Sequence, residues 1–319
     1  MSARWLDVPN EAFAAIYARF WDEAIPGERA VPLAELQAMV TLGPPNRRVH
    51  PVLAVDGREA VGAALLVVDA LRPEAASLRF LFVPPEHRRR GIGTALLEAV
   101  KARVRAQGRG RLRTLALDGH EAAAAFARRA GADPGLRIEQ RRCPVAALDG
   151  DMLRRWASPV PGFSLLAFDG VCPDEHLEAF AAVVTVMSGA PGAEAGRAPA
   201  PGDVRRMMAA HLRQGNESWT VCARDDASGR FVGYTELSFS IHRPWHATQG
   251  DTGVETAYRR RGLGRWMKAH NALRLLAERP EVEHVETWNA AGNVAMLSIN
   301  RAMGFAVVAG WREWHLALG

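Results

Sequence analysis

Two successive α/β domains, each a sheet flanked by helices, are predicted by three observations: chain length, a duplicated landmark and a recurring strand–turn–helix order. At 319 residues the chain exceeds what one hydrophobic core usually organises, and domains of roughly 150 residues are the natural division. The stretch Val83–Gly93, VPPEHRRRGIG, recurs as Val254–Gly264, VETAYRRRGLG. Farther along, Ala130–Ala132 (AGA) answers Met303–Phe305 (MGF) at nearly the same spacing. Two landmarks in the same order in each half indicate a duplicated domain, not a solenoid, whose period would be about 20 to 50 residues. The expected domains are 1–150 and 151–319, with the boundary between Asp149 and Pro161.

Each element follows from its pattern. In the first half a strand is expected near Arg4–Val8, then helices over Glu11–Asp22 and Leu33–Val40. Apolar runs predict strands Val49–Val55, Ala60–Val68 and Ala76–Val83, the last leading directly into the arginine–glycine turn. From Gly93 the spacing of Ala95, Leu96, Ala99, Val100 and Val104 is helical to about Ala106. Strand Leu112–Leu117, helix Glu121–Ala130 and strand Leu136–Val145 complete the half. The second half repeats this order: strand Phe163–Phe168, helices Asp174–Met187 and Gly202–Arg213, then strands Trp219–Ala223, Arg230–Phe239 and His246–Val254. Helix Gly264–Glu278, strand Val282–Thr287, helix Ala291–Met303 and a strand near Ala306–Leu318 follow. The Gly-, Pro- and Ala-rich stretch Ser188–Pro201 reads as a mobile surface loop.

Composition narrows the function classes. The chain is 48% hydrophobic and 24% charged, with no apolar run near the roughly 20 residues that span a bilayer. Neither a membrane span nor an export signal is expected, which points to the cytoplasm. Cys143, Cys172 and Cys222 are too few and too scattered for a disulfide framework or a zinc site; they read as reduced core residues, and no metal is expected. The net charge is +5 and the pI about 9.6, carried by arginine, since Lys101 and Lys268 are the only lysines. That balance favours an anionic ligand without naming it.

The two turns make the ligand class more specific. In each half a strand ends, Arg-Arg-Arg-Gly-x-Gly follows, and a helix begins at the second glycine. A helix's first turn leaves backbone N–H groups unpaired at the positive end of its dipole, a site for phosphate-type anions. Glycine at 91, 93, 262 and 264 lets that backbone approach phosphate oxygens. Candidate anion ligands are therefore Arg88, Arg89, Arg90, Gly91, Ile92 and Gly93 in the first half, and Arg259, Arg260, Arg261, Gly262, Leu263 and Gly264 in the second.

Arg88-x-x-Gly91-x-Gly93 and Arg259-x-x-Gly262-x-Gly264 resemble the pyrophosphate-binding signature of the GNAT acetyltransferases, and the order of elements around each copy is similar too. The resemblance covers nearly the whole chain and is closest to the tandem subgroup that includes mycothiol synthase-like enzymes. It implies two tandem GNAT domains, each with a mixed, mostly antiparallel, splayed sheet, and acetyl-coenzyme A as cosubstrate. It also implies that the backbone of Val83 and of Val254 faces the pantetheine arm.

Catalytic expectations rest on the same resemblance. The family often carries an Asn after the splayed strand and a Tyr, four residues before a terminal Gly-Phe, that protonates the departing thiolate. The second half offers Asn289, Asn293 and Gly304-Phe305, with Asn300 at the Tyr position. The first half has Ala127 there, Asp118 near the place of Asn289, and nothing polar matching Asn293. An alkyl thiol with a pKa near about 8.5 leaves readily as thiolate, whereas an amine acceptor needs a base or water relay. Candidate bases are Glu236, Asp251 and Glu255, the last two on one strand face unless a bulge intervenes. The C-terminal half is thus expected to be catalytic and the N-terminal half degenerate or regulatory. His246 reads as a strand residue, Trp245, Trp311 and Trp314 as packing residues, and Arg205, Arg206 and His211 as a solvated helix face or an acceptor roof. The expected activity is N-acetylation of a small-molecule amine by direct attack in a ternary complex, by a monomer or homodimer. The alternatives are a non-catalytic acetyl-coenzyme A sensor and a nucleic-acid-binding protein. The second lacks the clustered charge and stacking aromatics such a protein uses, so no nucleic-acid partner is expected.

Overall fold

The computed structural model describes residues 2–190 and 196–319. Of the loop expected over Ser188–Pro201, residues 191–195 lie outside the described residues. The chain divides into two compact units, Met1–Glu139 with Val308–Gly319, and Gln140–Val307.

Unit 1 contains β1 (Ser2–Trp5), α1 (Glu11–Ala24), α2 (Leu33–Thr41), β2 (Arg47–Asp56), β3 (Glu59–Asp69), β4 (Ala75–Phe82), α3 (Ile92–Ala106), β5 (Arg111–Leu117) and α4 (Glu121–Arg129), then the start of β6 (Asp133–Pro144). Unit 2 contains α5 (Gly150–Trp156), β7 (Phe163–Asp169), α6 (Leu177–Val184), α7 (Pro201–Arg213), β8 (Asn216–Asp225), β9 (Phe231–Ser240), β10 (Arg243–Val254), α8 (Leu263–Glu278), β11 (His284–Ala290) and α9 (Val294–Ala302). The last strand, β12 (Ala306–Ala317), gives most of its length to unit 1. Its residues Trp311–Ala317 pair antiparallel with Leu117–Arg111 of β5.

The unit boundaries therefore differ from 1–150 and 151–319 at both ends. Gln140 and Arg142 of β6 donate to Glu286 of β11 (2.9 and 2.8 Å), which places them in unit 2. A duplicated sequence shows that a strand exists, but its pairing partner depends on contacts that no local period encodes. Helix α5 also went unpredicted. It is short, and its cap, Asp149 accepting from the N–H groups of Asp151 and Met152 (2.9 and 3.0 Å), stands where the linker was expected.

Within unit 1 the strands run β1-β2-β3-β4-β5-β12, all antiparallel to their neighbours except β4 with β5. Strand alternation sorts β3 between two cores. Ala64, Leu66 and Val68 meet Ile92, Leu96 and Val100 of α3; Ala63, Leu65 and Val67 meet Phe13, Ile16 and Leu36 of α1 and α2. A strand buried on both faces reads as a continuous apolar run, as β3 does. Unit 2 repeats the plan with order β11-β10-β9-β8-β7 and one parallel pair, β10 with β11.

Gly62 and Gly233 hold equivalent places where the helix after the turn crosses the sheet. A Cβ on Gly233 would lie 2.8 Å from the Gly253 carbonyl oxygen and 3.2 Å from Met267 Cε. Gly233→Ala should therefore lower the urea-unfolding free energy of unit 2 by about 2 kcal/mol, the usual scale of overpacking; an unchanged midpoint would show that the strands part without strain.

Candidate functional site

Each turn is built by an unusual backbone. Arg89 (φ 64°) and Arg260 (φ 65°) are, among the described residues, the ones other than glycine with positive φ. Each is followed two residues later by a left-handed glycine, Gly91 (φ 79°) or Gly262 (φ 89°), that caps the next helix. Left-handed arginine costs about 1 kcal/mol or more, a strain that persists where the surroundings fix it and that concentrates at ligand sites. Alternation of hands points successive N–H groups into one concavity, a nest for an anion oxygen, at a helix N-terminus.

The three arginines of each turn have different tasks. Arg88 turns back to its strand: Nε donates to the Val83 carbonyl (2.9 Å) and Nη2 to both oxygens of Glu23 (2.8 and 2.6 Å). Arg259 grips the Val254 carbonyl in the same way (3.0 Å). Arg90 pairs with Asp56 (2.8 Å), and Arg261 lies over the rings of Phe163 and Tyr258 (5.7 and 5.5 Å). Only the middle pair, Arg89 and Arg260, is exposed with no partner among the described residues. The first arginines thus brace the turn, and the middle ones supply mobile charge.

Beside each turn the parallel strands part. Pairing of β4 with β5 ends at Leu78–Thr114, and that of β10 with β11 at Thr248–Glu286. In unit 1 the opening is a cavity of about 530 Å³ lined by Leu81–Val83, Leu115–Leu117, Phe126 and the turn from Arg88 to Gly93. Its walls are apolar and its mouth is the nest, which suits an elongated uncharged arm ending in phosphate. His120 sits at the rim, its Nδ1 accepting from Ala123 N–H (3.1 Å) while Nε2 faces Glu23 (3.3 Å); that pattern requires the Nε2–H tautomer. His120 caps α4 as Asn293 caps α9 (Met296 N–H, 3.3 Å), so the first half does carry a polar match to Asn293. The place of Asn289 is taken by Ala116, and Asp118 instead pairs with Arg137 (2.8 Å). A cap position is set by where the helix starts, which sequence spacing locates only to a residue or two.

In unit 2, Asn300 is fully buried and donates Nδ2 to Asn289 Oδ1 (2.7 Å), while its own Oδ1 has no partner. On the other side of the sheet, Tyr234 O–H donates to Asp251 Oδ2 (2.8 Å). A bulge between Gln249 and Thr252 brings Asp251 there. Gln249 Nε2 fills it, donating to the freed Glu236 carbonyl (2.6 Å) and to Thr235 Oγ1 (3.1 Å). Glu236 lies beside Gly250, and burial, with Asp251 nearby, pushes its carboxyl up to about 8. Glu255 stands apart, paired with Arg230 (2.9 Å). The bulge thus separates Asp251 from Glu255 and joins it to Tyr234.

The remaining candidates are structural. His246 bonds His284 and Thr248 (2.9 and 3.2 Å), and burial pulls its pKa down to about 2. Arg205 and Arg206 pair with Asp174 and Asp203. Trp311 and Trp314 are buried, Trp311 against Phe20 and Trp21 of unit 1 (6.0 and 5.8 Å). The three cysteines are free and buried. No helix among the described residues is long and apolar enough to cross a membrane.

Comparison with known proteins agrees with this geometry. The sequence profile of the acetyltransferase (GNAT) family matches residues 12–132, and a tandem GNAT protein from the clavulanic acid biosynthesis pathway superposes over 100% of this chain and 99% of its own (TM-score 0.75, 26% identity). Residues 12–132 thus match the GNAT family, and over its whole length the chain is similar to a tandem GNAT protein, as the duplicated turn implies. The mycothiol acetyltransferase of Streptomyces coelicolor is 41% identical over 102 residues, 32% of this chain and 31% of that protein; the match spans about a third of that relative. A GCN5-related N-acetyltransferase from Sphaerobacter thermophilus shares the fold over 99% of this chain and 95% of its own (TM-score 0.67, 17% identity).

Proposed function

We propose that this tandem GNAT protein transfers acetyl from acetyl-coenzyme A to the amine of a small molecule, with the chemistry in unit 2 and a non-catalytic cofactor site in unit 1. One contrast carries the division of labour. The sheet face under α1 in unit 1 is packed solid by Phe13, Tyr17 and Phe20 around Phe80 (5.6, 4.9 and 5.4 Å between rings). The same face in unit 2 presents Tyr234, Glu236 and Asp251. An amine acceptor needs a base, and of the two faces the second carries the carboxylates.

Acetyl-coenzyme A supplies an activated acyl thioester when bound. In unit 2, Arg260 and the N–H groups from Gly262 to Gly264 would hold its pyrophosphate, and Asn289, fixed by Asn300, would stand beside the splayed strand. Glu236 takes the proton of a bound ammonium, for which a carboxyl near 8 is far better suited than an ordinary one. Asn300 donates no proton at the tyrosine's place, and a thiolate leaving group does not require one.

Calorimetric titration of acetyl-coenzyme A into the wild type, Gly91→Glu/Gly93→Glu and Gly262→Glu/Gly264→Glu tests this reading. Two sites are expected in the wild type and one in each variant, with acetyl transfer lost only in the second. Binding that survives in both variants would refute the assignment of the turns. Tight binding with no turnover of any amine would favour a cofactor sensor.

A further inference from the structure

Unit 1 holds a second cavity, of about 300 Å³, lined by Asp118, Glu121, Ala124, Arg128, Arg312 and Trp314. Glu121, Ala124 and Arg128 form one stripe of α4, at i, i+3 and i+7, while Ala122, Phe126 and Arg129 on another face of the same helix line the coenzyme cavity. One helix is thus a wall of both. The second cavity owes its room to one residue. Corresponding positions of α4 and α9 differ by 304 − 131 = 173, the offset of the glycines that follow them, so Ala124 answers Leu297. Leu297 is buried at 2% exposure; where unit 2 places a leucine, unit 1 stops at a methyl group. None of the nine residues of α4 is buried, whereas α9 buries Leu297 and Asn300. A helix with so little packed surface shifts at low cost.

The lining carries one unsatisfied donor and one unpaired cation. Trp314 is almost fully buried, and its indole N–H has no acceptor, a costly state for a buried polar group. Arg128 lies over the Trp314 ring, 5.6 Å from its centre, and has no carboxylate partner among the described residues. The other arginines are engaged: Arg312 donates to the Gly135 carbonyl (3.2 Å) and faces Asp118 (3.5 Å), which also holds Arg137 (2.8 Å). Arg128, Arg137 and Arg312 stand against Asp118 and Glu121, leaving one positive charge in excess. A single carboxylate balances it and a dianion overshoots it.

We infer that this cavity is an effector site for a small monocarboxylate, whose binding tightens the hold of unit 1 on acetyl-coenzyme A. The coupling rests on the reading of unit 1 as a cofactor site; the carboxylate site does not. The exposed Arg128 swings from the indole ring to the carboxylate, which accepts from the guanidinium and from the Trp314 N–H, and the apolar body of the ligand fills the space beside Ala124. Both contacts pin α4, and the pinned helix presents Phe126 and Arg129 to the coenzyme cavity without further ordering cost. Linkage makes the effect mutual: acetyl-coenzyme A strengthens carboxylate binding by the same factor.

Heteronuclear NMR of the full chain tests the site through the indole N–H resonance of Trp314, identified as the one that Trp314→Phe removes. Butyrate should shift it saturably, inorganic phosphate far less, and butylammonium not at all. Ala124→Leu, which installs the residue unit 2 carries, and Arg128→Gln should each abolish the shift; neither alters a buried side chain, so the fold survives both. Calorimetry of acetyl-coenzyme A on Gly262→Glu/Gly264→Glu, which leaves unit 1 to report alone, should show affinity rising about fivefold in saturating butyrate, and no rise once Ala124→Leu is added. An unmoved Trp314 resonance, or a stronger response to phosphate, overturns the site. A shifted resonance with unchanged coenzyme affinity overturns the coupling. Absence of any coenzyme binding in that double variant refutes the cofactor reading of unit 1 instead, and the butyrate shift then still supports the carboxylate site.

Discussion

Deleting residues 308–319 is expected to unfold unit 1, at the opposite end of the sequence, and to leave unit 2 folded. The deleted strand carries Trp311, Trp314, Leu316 and Leu318, each no more than 8% exposed. Leu316 and Leu318 belong to the core under α3. Trp311 closes the aromatic cluster of α1. Removing one such side chain costs about 2 to 5 kcal/mol, so losing four approaches or exceeds the roughly 5 to 15 kcal/mol that holds a domain together. The truncation also strips β5 of its seven paired positions, Arg111 to Leu117, and of the Arg113–Glu313 ion pair. The edge it exposes is an aggregation template. Hydrogen exchange resolved by fragment would decide the matter: protection should vanish over β3, β4 and α3 and persist over β9 and α8. Loss confined to unit 2 would mean that the strand serves the half in which it is encoded.

That strand shows where sequence reasoning stops. The alternation of Trp311, Glu313 and the residues that follow makes a strand readable, and the repeat makes its place in the order readable, yet neither says which sheet receives it. The two turns were legible because their chemistry is local: glycine marks the left-handed helix cap, and the strand before and helix after are each periodic. The tasks of the individual arginines were not. In sequence Arg88 and Arg89 are alike, and only the fold turns one onto Val83 and leaves the other in solvent. Glu236 and Asp251 were visible as acidic residues on central strands, but their grouping with Tyr234 depends on a bulge, which is a property of pairing.

Replacing Lys268 by methionine should stabilise unit 2 most near and below neutral pH and least in alkali. Lys268 lies in α8 with 1% exposure, its ammonium 5.6 Å from the centre of the Phe305 ring. Burial lowers its pKa from 10.5 to about 7, opposed in small part by the Cys143 thiol. Between these values the unfolded chain binds the proton that the folded chain has released. Stability therefore rises with pH across the window from about 7 to 10.5. Below it the folded state bears the full cost of a buried charge, on the order of 5 kcal/mol at about 1.4 kcal/mol per tenfold in proton affinity. Methionine keeps the length of the side chain and removes that cost, so the gain should shrink steadily as the pH climbs. Glu236→Gln should show the opposite course. Its carboxyl is raised from 4.5 to about 8, so the wild type loses stability as pH rises through that window and the variant gains most above it. Urea unfolding of unit 2 at pH 6 and pH 10 distinguishes titration from packing, because a packing effect would stabilise the methionine variant equally at both. The opposed slopes matter for the proposed chemistry: the charge that Glu236 needs in order to act as a base costs unit 2 stability between about pH 4.5 and 8, and Lys268, as it loses its proton, gives stability back only above about pH 7.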